Sequence, residues 1–431
     1  MLLFVHTLSL VPFMSSYDPT LARQFAVEVV SQLRKAGHEA FWAGGCVRDQ
    51  LLGKVPKDYD VATSALPEQI RETFGQRRTL AIGVAFGVIT VLGPKGAGSI
   101  EVATFRHDLG YSDGRRPDSV AFTNAQEDAC RRDFTINGIF FDPLTQEYHD
   151  YVGGQEDLQH RVLRAIGNPH ERFAEDRLRM LRAVRFSATL DFELDPVTQA
   201  AVRAHASAIT VVSGERIAAE MRRMLKHASR AQAVEMLREV CLLDVLLPEL
   251  AVASANLEAW KRTLSLLQLL EHPSMTMALA ALMREVVVLR DIDSAMVALQ
   301  PWKLPNEDID GVRMLLRSEP MILQARQTPW PQLQRTLVMP RAAELVDYCA
   351  AVAAVLEQGE EDVQFCREKL ALPSEIFNPI PLITGDDLKR LGIPPGPAFK
   401  EILDQVRDEQ LLGQITTSAA AIEFVRREKG L

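Results

Sequence analysis

Hydrophobic spacing divides the 431-residue chain into a mixed first third and a helical remainder. Residues 20–36 repeat apolar positions at three- and four-residue intervals, which predicts an amphipathic helix. "EAFWAGG" reads as a buried strand, "VRDQLLG" as a short helix and "DYDVATS" as a second strand. "PEQIRETF" opens with proline at a helix start. "GVITVLG" and "SIEVATF" are rich in Val and Ile and read as further strands. From about residue 172 the period is almost wholly helical, in "ERFAEDRLRMLRAVRFSATL", "SGERIAAEMRRMLKHA" and "AQAVEMLREVCLLDVL". Pro248, Pro273, Pro301 and Pro305 punctuate the later helices, "EIFNPIPLITG" reads as a linker, and a compact helical tail follows from Thr384. The fold class predicted is α+β: a small head with a mixed β-sheet, then an all-helical remainder.

Composition changes this picture little. The chain is 47% hydrophobic and 24% charged, as expected of a globular protein, and its length calls for more than one core. Cys46, Cys130, Cys241, Cys349 and Cys366 show no CxxC spacing, which argues against a zinc knuckle or disulfide framework and fits a reducing cytosol. No apolar run is long enough to span a membrane. The opening "MLLFVHTLSLVPFMSS" lacks a basic n-region and a small-residue cleavage site, so we do not expect a signal peptide. Met14 would make a cleaner beginning; we expect an over-called start codon, which Met1 in a native N-terminal mass spectrum would reject.

Charge distribution says more than the net −9. Between Arg161 and Val240 stand 14 Lys/Arg against 10 Asp/Glu, so the middle of the chain is basic and the rest acidic. A polyanion would be drawn to that middle. On charge alone, a salt-bridged helical face is the simpler reading.

Candidate chemistry lies in "GGCVRDQLLGKVPKDYDVAT". In a strand, residues i and i+2 share a face, so Asp58 and Asp60 would present carboxylates roughly 6–7 Å apart. Hard oxygen ligands at that spacing suit Mg²⁺, and two carboxylates can hold two ions for in-line phosphoryl displacement. Glu101, a charge inside an apolar strand, is the candidate third carboxylate. A lone D-x-D reads better as a solvated turn. Gly44 and Gly45 ahead of a short helix change the balance, because they allow close backbone approach and a helix N-terminus offers N–H groups to phosphate. Arg48 would add charge one turn along.

The same stretch resembles the signature of the class II tRNA nucleotidyltransferase and poly(A) polymerase family. The likeness continues in order through "EVATFRHDLGYSDGRRPDSVAF", "EDACRRDFTINGIFFDP", "DYVGGQEDLQHRVLRAIGNPHERFAEDRLRMLRAVRF" and "SGERIAAEM", covering roughly residues 20–225. "LITGDDLKRLGIPPGPAFKEILDQVRDEQLLGQI" resembles the tail of many members. The resemblance implies Mg²⁺-dependent addition of nucleotides to an RNA 3′ end without a nucleic-acid template. It implies a head over residues 20–150 after an extension over 1–19, a neck over 151–270, a body over 271–373 and a tRNA-binding tail over 374–431. Gly45 and Arg48 would contact the triphosphate and Asp58 and Asp60 the metals, while Arg131, Arg132 and Asp133 would lie toward the ribose. The family usually reads Asn-Ala where this chain has Asn137-Gly138, a change expected to loosen packing without abolishing activity.

Glu175-Asp176-Arg177-Leu178-Arg179 matches the family's nucleotide-reading motif. Cytosine and adenine each present an amino donor beside a ring-nitrogen acceptor; uracil and guanine present the reverse. A carboxylate only accepts and a guanidinium only donates. Asp176 and Arg179, taken to lie on adjacent helical turns, would therefore pair with C or A, and a bidentate pair discriminates by about 1–3 kcal/mol. Arg182 and Arg185 would hold Asp176 or the phosphates. The competing reading is an ion-paired helix with Glu175–Arg179 as an i,i+4 pair. Arg216, Arg222, Arg223, Lys226 and Arg230 are expected to steer RNA phosphates without specifying sequence. "GIPPGPAFKEIL" reads equally as a phosphate contact or a structural hairpin. "EHPSMTMALAALMREV" lacks a His-Asp pair, so no metal-dependent phosphohydrolase module is expected.

These features predict a cytoplasmic enzyme that uses CTP and ATP to complete or repair the tRNA 3′ CCA end, with an enzyme that adds only A or only CC as the variant reading. The nearest rival is a poly(A) polymerase, but "RRTLAIGVAFGVITV" is nearer the CCA-adding pattern. A non-catalytic RNA-binding homologue is the rival from another class, and the intact Asp58 and Asp60 argue against it. His107–Ser119, with Asp108, Asp113, Arg115 and Arg116 among glycines and a proline, resembles the flexible loop of enzymes that add the terminal A. Deleting residues 108–117 should spare CC addition and cut A addition strongly.

Overall fold

A computed structural model describes residues 18–109 and 119–429. The N-terminal extension and the centre of the His107–Ser119 loop lie outside the described residues. The described chain divides into two compact units. One runs to Glu220 and takes back Met236–Leu246; the other holds Met221–Glu235 and the chain from Leu247.

The first unit begins with helix α1 (Pro19–Lys35). Asp18 caps it by accepting from Thr20 N and Leu21 N, and Pro19 occupies the first turn. Phe25, Val29, Val30 and Leu33 form its buried stripe. The chain continues through β1 (Ala40–Ala43), α2 (Gly45–Leu51), β2 (Asp60–Thr63), α3 (Pro67–Phe74), β3 (Thr79–Gly83), β4 (Val88–Leu92) and β5 (Ser99–Thr104). β6 (Arg106–Leu109) and β7 (Ser119–Phe122) pair as a separate hairpin. After α4 (Ala125–Cys130), β8 (Ile139–Asp142) and β9 (Glu147–Asp150) complete a seven-stranded sheet ordered β3-β4-β5-β2-β1-β8-β9. Only β2–β5 is a parallel pair among its neighbours, so the sheet is mixed as expected. Every residue of β1 and β8 is buried, which explains their unbroken apolar runs. Trp42 donates to Ala26 O at 3.2 Å and ties β1 to α1.

Next come α5 (Gly154–His160), β10 (Val162–Leu163), α6 (Pro169–Glu175), α7 (Leu178–Leu190), β11 (Glu193–Leu194), α8 (Pro196–His205) and α9 (Gly214–Leu225). Gly154 is sterically required, because a Cβ there would meet Thr135 O at 2.2 Å. The long helix read from "ERFAEDRLRMLRAVRFSATL" is two helices. Asp176 leaves the helical region (φ −136, ψ 105), and its Oδ1 accepts from Leu178 N at 3.0 Å. An aspartate competes well for such a capping position and poorly for a helix interior. Likewise, "AQAVEMLREVCLLDVL" breaks at Cys241 (φ 60), into α10 (Arg230–Glu239) and α11 (Leu243–Leu246).

The second unit is helical among its described residues: α12 (Pro248–Ser254), α13 (Leu257–Leu269), α14 (Met275–Leu289), α15 (Ile292–Leu299), α16 (Asn306–Ile322), α17 (Trp330–Leu337), α18 (Ala342–Leu356), α19 (Glu360–Leu370) and α20 (Ser374–Phe377). α14 is buried on nearly all sides, matching its almost uniformly apolar sequence. α21 (Gly385–Arg390), α22 (Pro397–Leu411) and α23 (Ser418–Lys429) share a cluster of Leu388, Ile402, Val406, Ala421 and Val425, and Thr384 caps α21 with Asp387. The compact helical tail predicted from Thr384 is therefore present. No helix of the described residues is long and apolar enough to cross a membrane.

Candidate active site

Backbone register assembles the carboxylates. Ala43, the last residue of β1, pairs with Asp60; Asp60 pairs in parallel with Glu101; Glu101 pairs with Thr90. Directly opposed residues share a face, so Asp60 and Glu101 point the same way from one row of the sheet. Asp58 stands ahead of β2 rather than within it, correcting the strand assignment. The alternation nevertheless holds: Tyr59 turns inward against Trp42, ring centroids 4.7 Å apart, while Asp58 and Asp60 are exposed. Solvent reaches Asp60, yet the protein packed round its carboxylate removes hydration. That loss, then the charges of Asp58 and Glu101, raise its carboxyl to about 6 against the opposing pull of Arg132. The charges of Asp58 and Glu101 are thus both felt at Asp60.

The glycine turn follows the same sheet row. Gly44 adopts φ 71 and ψ −129, a conformation open mainly to glycine, and a Cβ there would sit 3.3 Å from Arg132 Nη1. Gly45 opens α2, whose first bond runs from Arg48 N to Gly44 O at 3.2 Å. The preceding N–H groups have no acceptor within the helix. Arg48 is held by Asp49 Oδ1 at 2.7 Å and donates to Asn137 Oδ1 at 2.8 Å. Beneath the turn the Cys46 thiol, pushed up to about 12 chiefly by burial, lies 3.2 Å from Ala43 O.

The "RRDFTIN" segment supplies the flank. Asp128, 1% exposed, binds Arg131 at 2.7 Å and Arg132 at 3.0 Å. Burial opposes its ionisation, but the two guanidiniums hold its carboxyl below the usual range. Asp133 is buried too. Burial works to raise its carboxyl; Arg182 and hydrogen bonds from Asn137 and Phe134 N bring it down to about 2. Asp133 therefore fastens Arg182 rather than facing outward.

The nucleotide-reading stretch differs in detail from its prediction. Asp176 and Arg179 do not lie on successive turns of one helix, because the chain breaks between α6 and α7. Arg216 holds Asp176 at 3.0 Å. Arg179 donates to Glu175 at 2.6 Å, to Arg172 O at 3.1 Å and to Arg131 O at 3.2 Å, so the Glu175–Arg179 pair does form. Arg182 binds Asp133 and also feels the charge of Asp176, and Arg185 binds Glu220 at 2.6 Å. Of the proposed RNA-steering residues, Arg223 and Lys226 are exposed and Arg222 pairs with Asp308 at 2.6 Å. Arg230 is corrected outright. It is 4% exposed and donates to Leu225 O, Leu267 O and Leu270 O, satisfying carbonyls at helix ends.

Sequence reasoning passed over Asp128 and Asn137, although Asp128 at i−3 and i−4 from two arginines was a readable signal. Glu220 carried none. Gly138 does not loosen the packing as expected: a Cβ there would meet Val152 Cγ2 at 2.7 Å and Ile166 Cδ1 at 3.2 Å, so its space is already filled. Among the described residues, no group of three or more His, Cys, Asp or Glu closes to a metal-site geometry.

A mixed sheet carrying this carboxylate row beside a glycine turn defines the class, a nucleotidyltransferase head. The chain accordingly matches the Poly A polymerase head domain over residues 40–164, the RNA- and SrmB-binding site of polymerase A over 191–254, and tRNA nucleotidyltransferase domain 2 over 273–425. It is 34% identical to the CCA-adding enzyme of Lacticaseibacillus paracasei over 90% of this chain and 92% of that one. It is also 34% identical to the CCA-adding enzyme of a Geobacillus strain, over 91% and 93%. The structure of the Bacillus stearothermophilus CCA-adding enzyme in complex with CTP matches with a TM-score of 0.75 and 30% identity, over 95% of this chain and 99% of that one. The chain belongs to the CCA-adding enzyme family, within the wider poly(A) polymerase family.

Proposed function

We propose that this protein is a cytoplasmic tRNA nucleotidyltransferase that adds CCA to tRNA 3′ ends from CTP and ATP. The observation that carries this reading is the single sheet row Ala43–Asp60–Glu101, which sets the carboxylates beside the Gly44–Gly45 turn. The relatives' names and the CTP complex of the Bacillus protein support the substrate class. We retain the division into head 20–150, neck 151–270, body 271–373 and tail 374–431 as the working arrangement.

Asp58 and Asp60 are the hard oxygen donors that Mg²⁺ takes, and since the carboxylates alone do not close a metal site among the described residues, phosphate oxygens would complete its shell. Asp60 is raised to about 6 by lost hydration and by Asp58 and Glu101, a crowd of hard oxygen donors that divalent cations would neutralise. Asp58 and Asp60 would hold two ions, with Glu101 as the third carboxylate. When bound, such ions make the RNA 3′-hydroxyl more acidic and stabilise the pyrophosphate leaving group. Gly44 and Gly45 leave room for the triphosphate to approach the backbone, and Arg48 offers charge from the first turns of α2. Arg131 and Arg132, oriented by Asp128, flank the nucleotide. Asp176 accepts from, and Arg179 donates to, the amino and ring-nitrogen edge that cytosine and adenine share, exchanging their present partners Arg216 and Glu175 for the base.

The test is incubation with tRNA ending before CCA, tRNA ending in CC and generic RNA, each with single nucleoside triphosphates. C addition to the first and A addition to the second are expected. Long A tracts on generic RNA would instead mark a poly(A) polymerase, and no incorporation a non-catalytic homologue.

A further inference from the structure

Phe186 lies in α7, 8% exposed, with its ring T-shaped against Phe134 at 5.9 Å between centroids. Three guanidinium groups approach that ring. Arg185 lies 4.0 Å from its centroid, Arg182 5.2 Å and Arg48 5.3 Å. Arg182 and Arg185 precede it on its own helix, while Arg48 comes from α2 behind the glycine turn. Each has its own anionic or amide partner: Asp49 and Asn137 for Arg48, Asp133 for Arg182, Glu220 for Arg185. Glu220 also acts on Arg182, so the two α7 arginines are coupled through it. The ring is the element all three share.

Like charges gathered this closely repel one another. An aromatic face, with its negative quadrupole, offsets that repulsion; an aliphatic side chain of similar volume does not. An ordinary core position would need only apolar volume, and Leu or Met would serve it.

We propose that Phe186 is a positioning residue for phosphate recognition: its ring keeps Arg48, at the glycine turn, in register with Arg182 and Arg185 on α7. The proposal rests on the nucleotidyltransferase reading and deepens it. Because Arg48 stands at the glycine turn proposed for the triphosphate, a ring that holds it in place governs affinity for the triphosphate and leaves the choice of base alone.

The test replaces Phe186 with mono-, di-, tri- and pentafluorophenylalanine, and separately makes Phe186→Leu. Fluorine drains the ring face of negative potential with little change of shape. Dissociation constants are measured in Mg²⁺ buffer for CTP, ATP and inorganic triphosphate, with melting temperature followed in parallel. Affinity for all three probes should weaken stepwise with fluorination, by about tenfold at pentafluoro, while the melting temperature and the CTP-to-ATP ratio hold. Phe186→Leu should weaken all three by a similar factor. A flat series, a Leu variant that binds like the parent, or a loss confined to one base would overturn the proposal. Failure of the parent protein to bind CTP, ATP or triphosphate would overturn the nucleotidyltransferase reading itself.

Discussion

Both units bury charge, and they balance it differently. In the second unit Arg284 lies between Glu285 and Glu319, each at 2.8 Å; Arg262 binds Glu285 at 2.7 Å, and Tyr348 donates to Glu319 at 2.8 Å. Each carboxylate there has a guanidinium, and the network closes on itself across α13, α14, α16 and α18. In the first unit, Asp58, Asp60 and Glu101 meet Arg132, which Asp128 already holds. Lost hydration first, then the charges of Asp58 and Glu101, raise the Asp60 carboxyl to about 6. A closed network holds helices together; an open one is left for a ligand to complete.

The sharpest way to break this contrast is to remove a carboxylate from each network. Asp58→Ala or Asp60→Ala should lower kcat/KM for nucleotide addition by at least about 10³-fold, since several kcal/mol of transition-state stabilisation depends on the ions they hold. The melting temperature should stay level or rise as repulsion is relieved. A folded variant with near-normal turnover would sink the assignment. Glu319→Ala should do the opposite. Taking away Tyr348's acceptor and one of Arg284's two carboxylates should destabilise the protein by about 2–4 kcal/mol in denaturant titration, with the turnover of the folded fraction unchanged.

Asp176→Ala sharpens the reading of the open side. Addition of C and of A should fall together, by tens-fold, as the loss of one bidentate base contact of about 1–3 kcal/mol predicts. Kinetics with all four triphosphates would show it, and unaltered preference would refute the base-reading role.

Asp133→Asn probes a balanced buried pair, Asp133 with Arg182, within the first unit. Because the Asp133 carboxyl is depressed to about 2, its contribution is complete above the ordinary carboxylate range. It drains away as pH falls from about 4 to about 2, and amounts to about 2 kcal/mol. The Asn variant should lose that stability at neutral pH and flatten this part of the acid-unfolding curve. The smallest effect is expected from Gly138→Ala, which restores the residue usual in the family. Contact with Val152 should cost about 1–2 kcal/mol, and Val152→Ala should recover most of it. Additive single changes would show that the two side chains do not compete for one space.

Local patterning accounts for much of what the structure contains. Val- and Ile-rich runs marked β4 and β5, three- and four-residue spacing marked α1, and Thr384 announced the tail. The glycine turn and the alternation of Asp58, Tyr59 and Asp60 were legible because glycine conformational freedom and strand alternation are properties of a few adjacent residues. The break at Asp176 was misread, since aspartate serves both as a solvated helix residue and as a cap, and only the backbone distinguishes them.

The partners of the arginines were decided elsewhere. Arg182 reaches Asp133, Arg185 reaches Glu220 and Arg216 reaches Asp176, each across many residues of chain. Arg223 and Arg230 look alike in the sequence, yet one is exposed and the other is buried against Leu225, Leu267 and Leu270 carbonyls. Hydrophobic periodicity is a local property, so the chain alone determined most of which segments would be strand or helix and the close spacing of Asp58 and Asp60, whereas the parallel pairing of β2 with β5 brought Glu101 alongside. A guanidinium on a long side chain takes whatever acceptor the packed elements bring within reach, and those acceptors come from distant segments. Tertiary structure therefore decided which positive charges became scaffolding and which remained beside the carboxylate row.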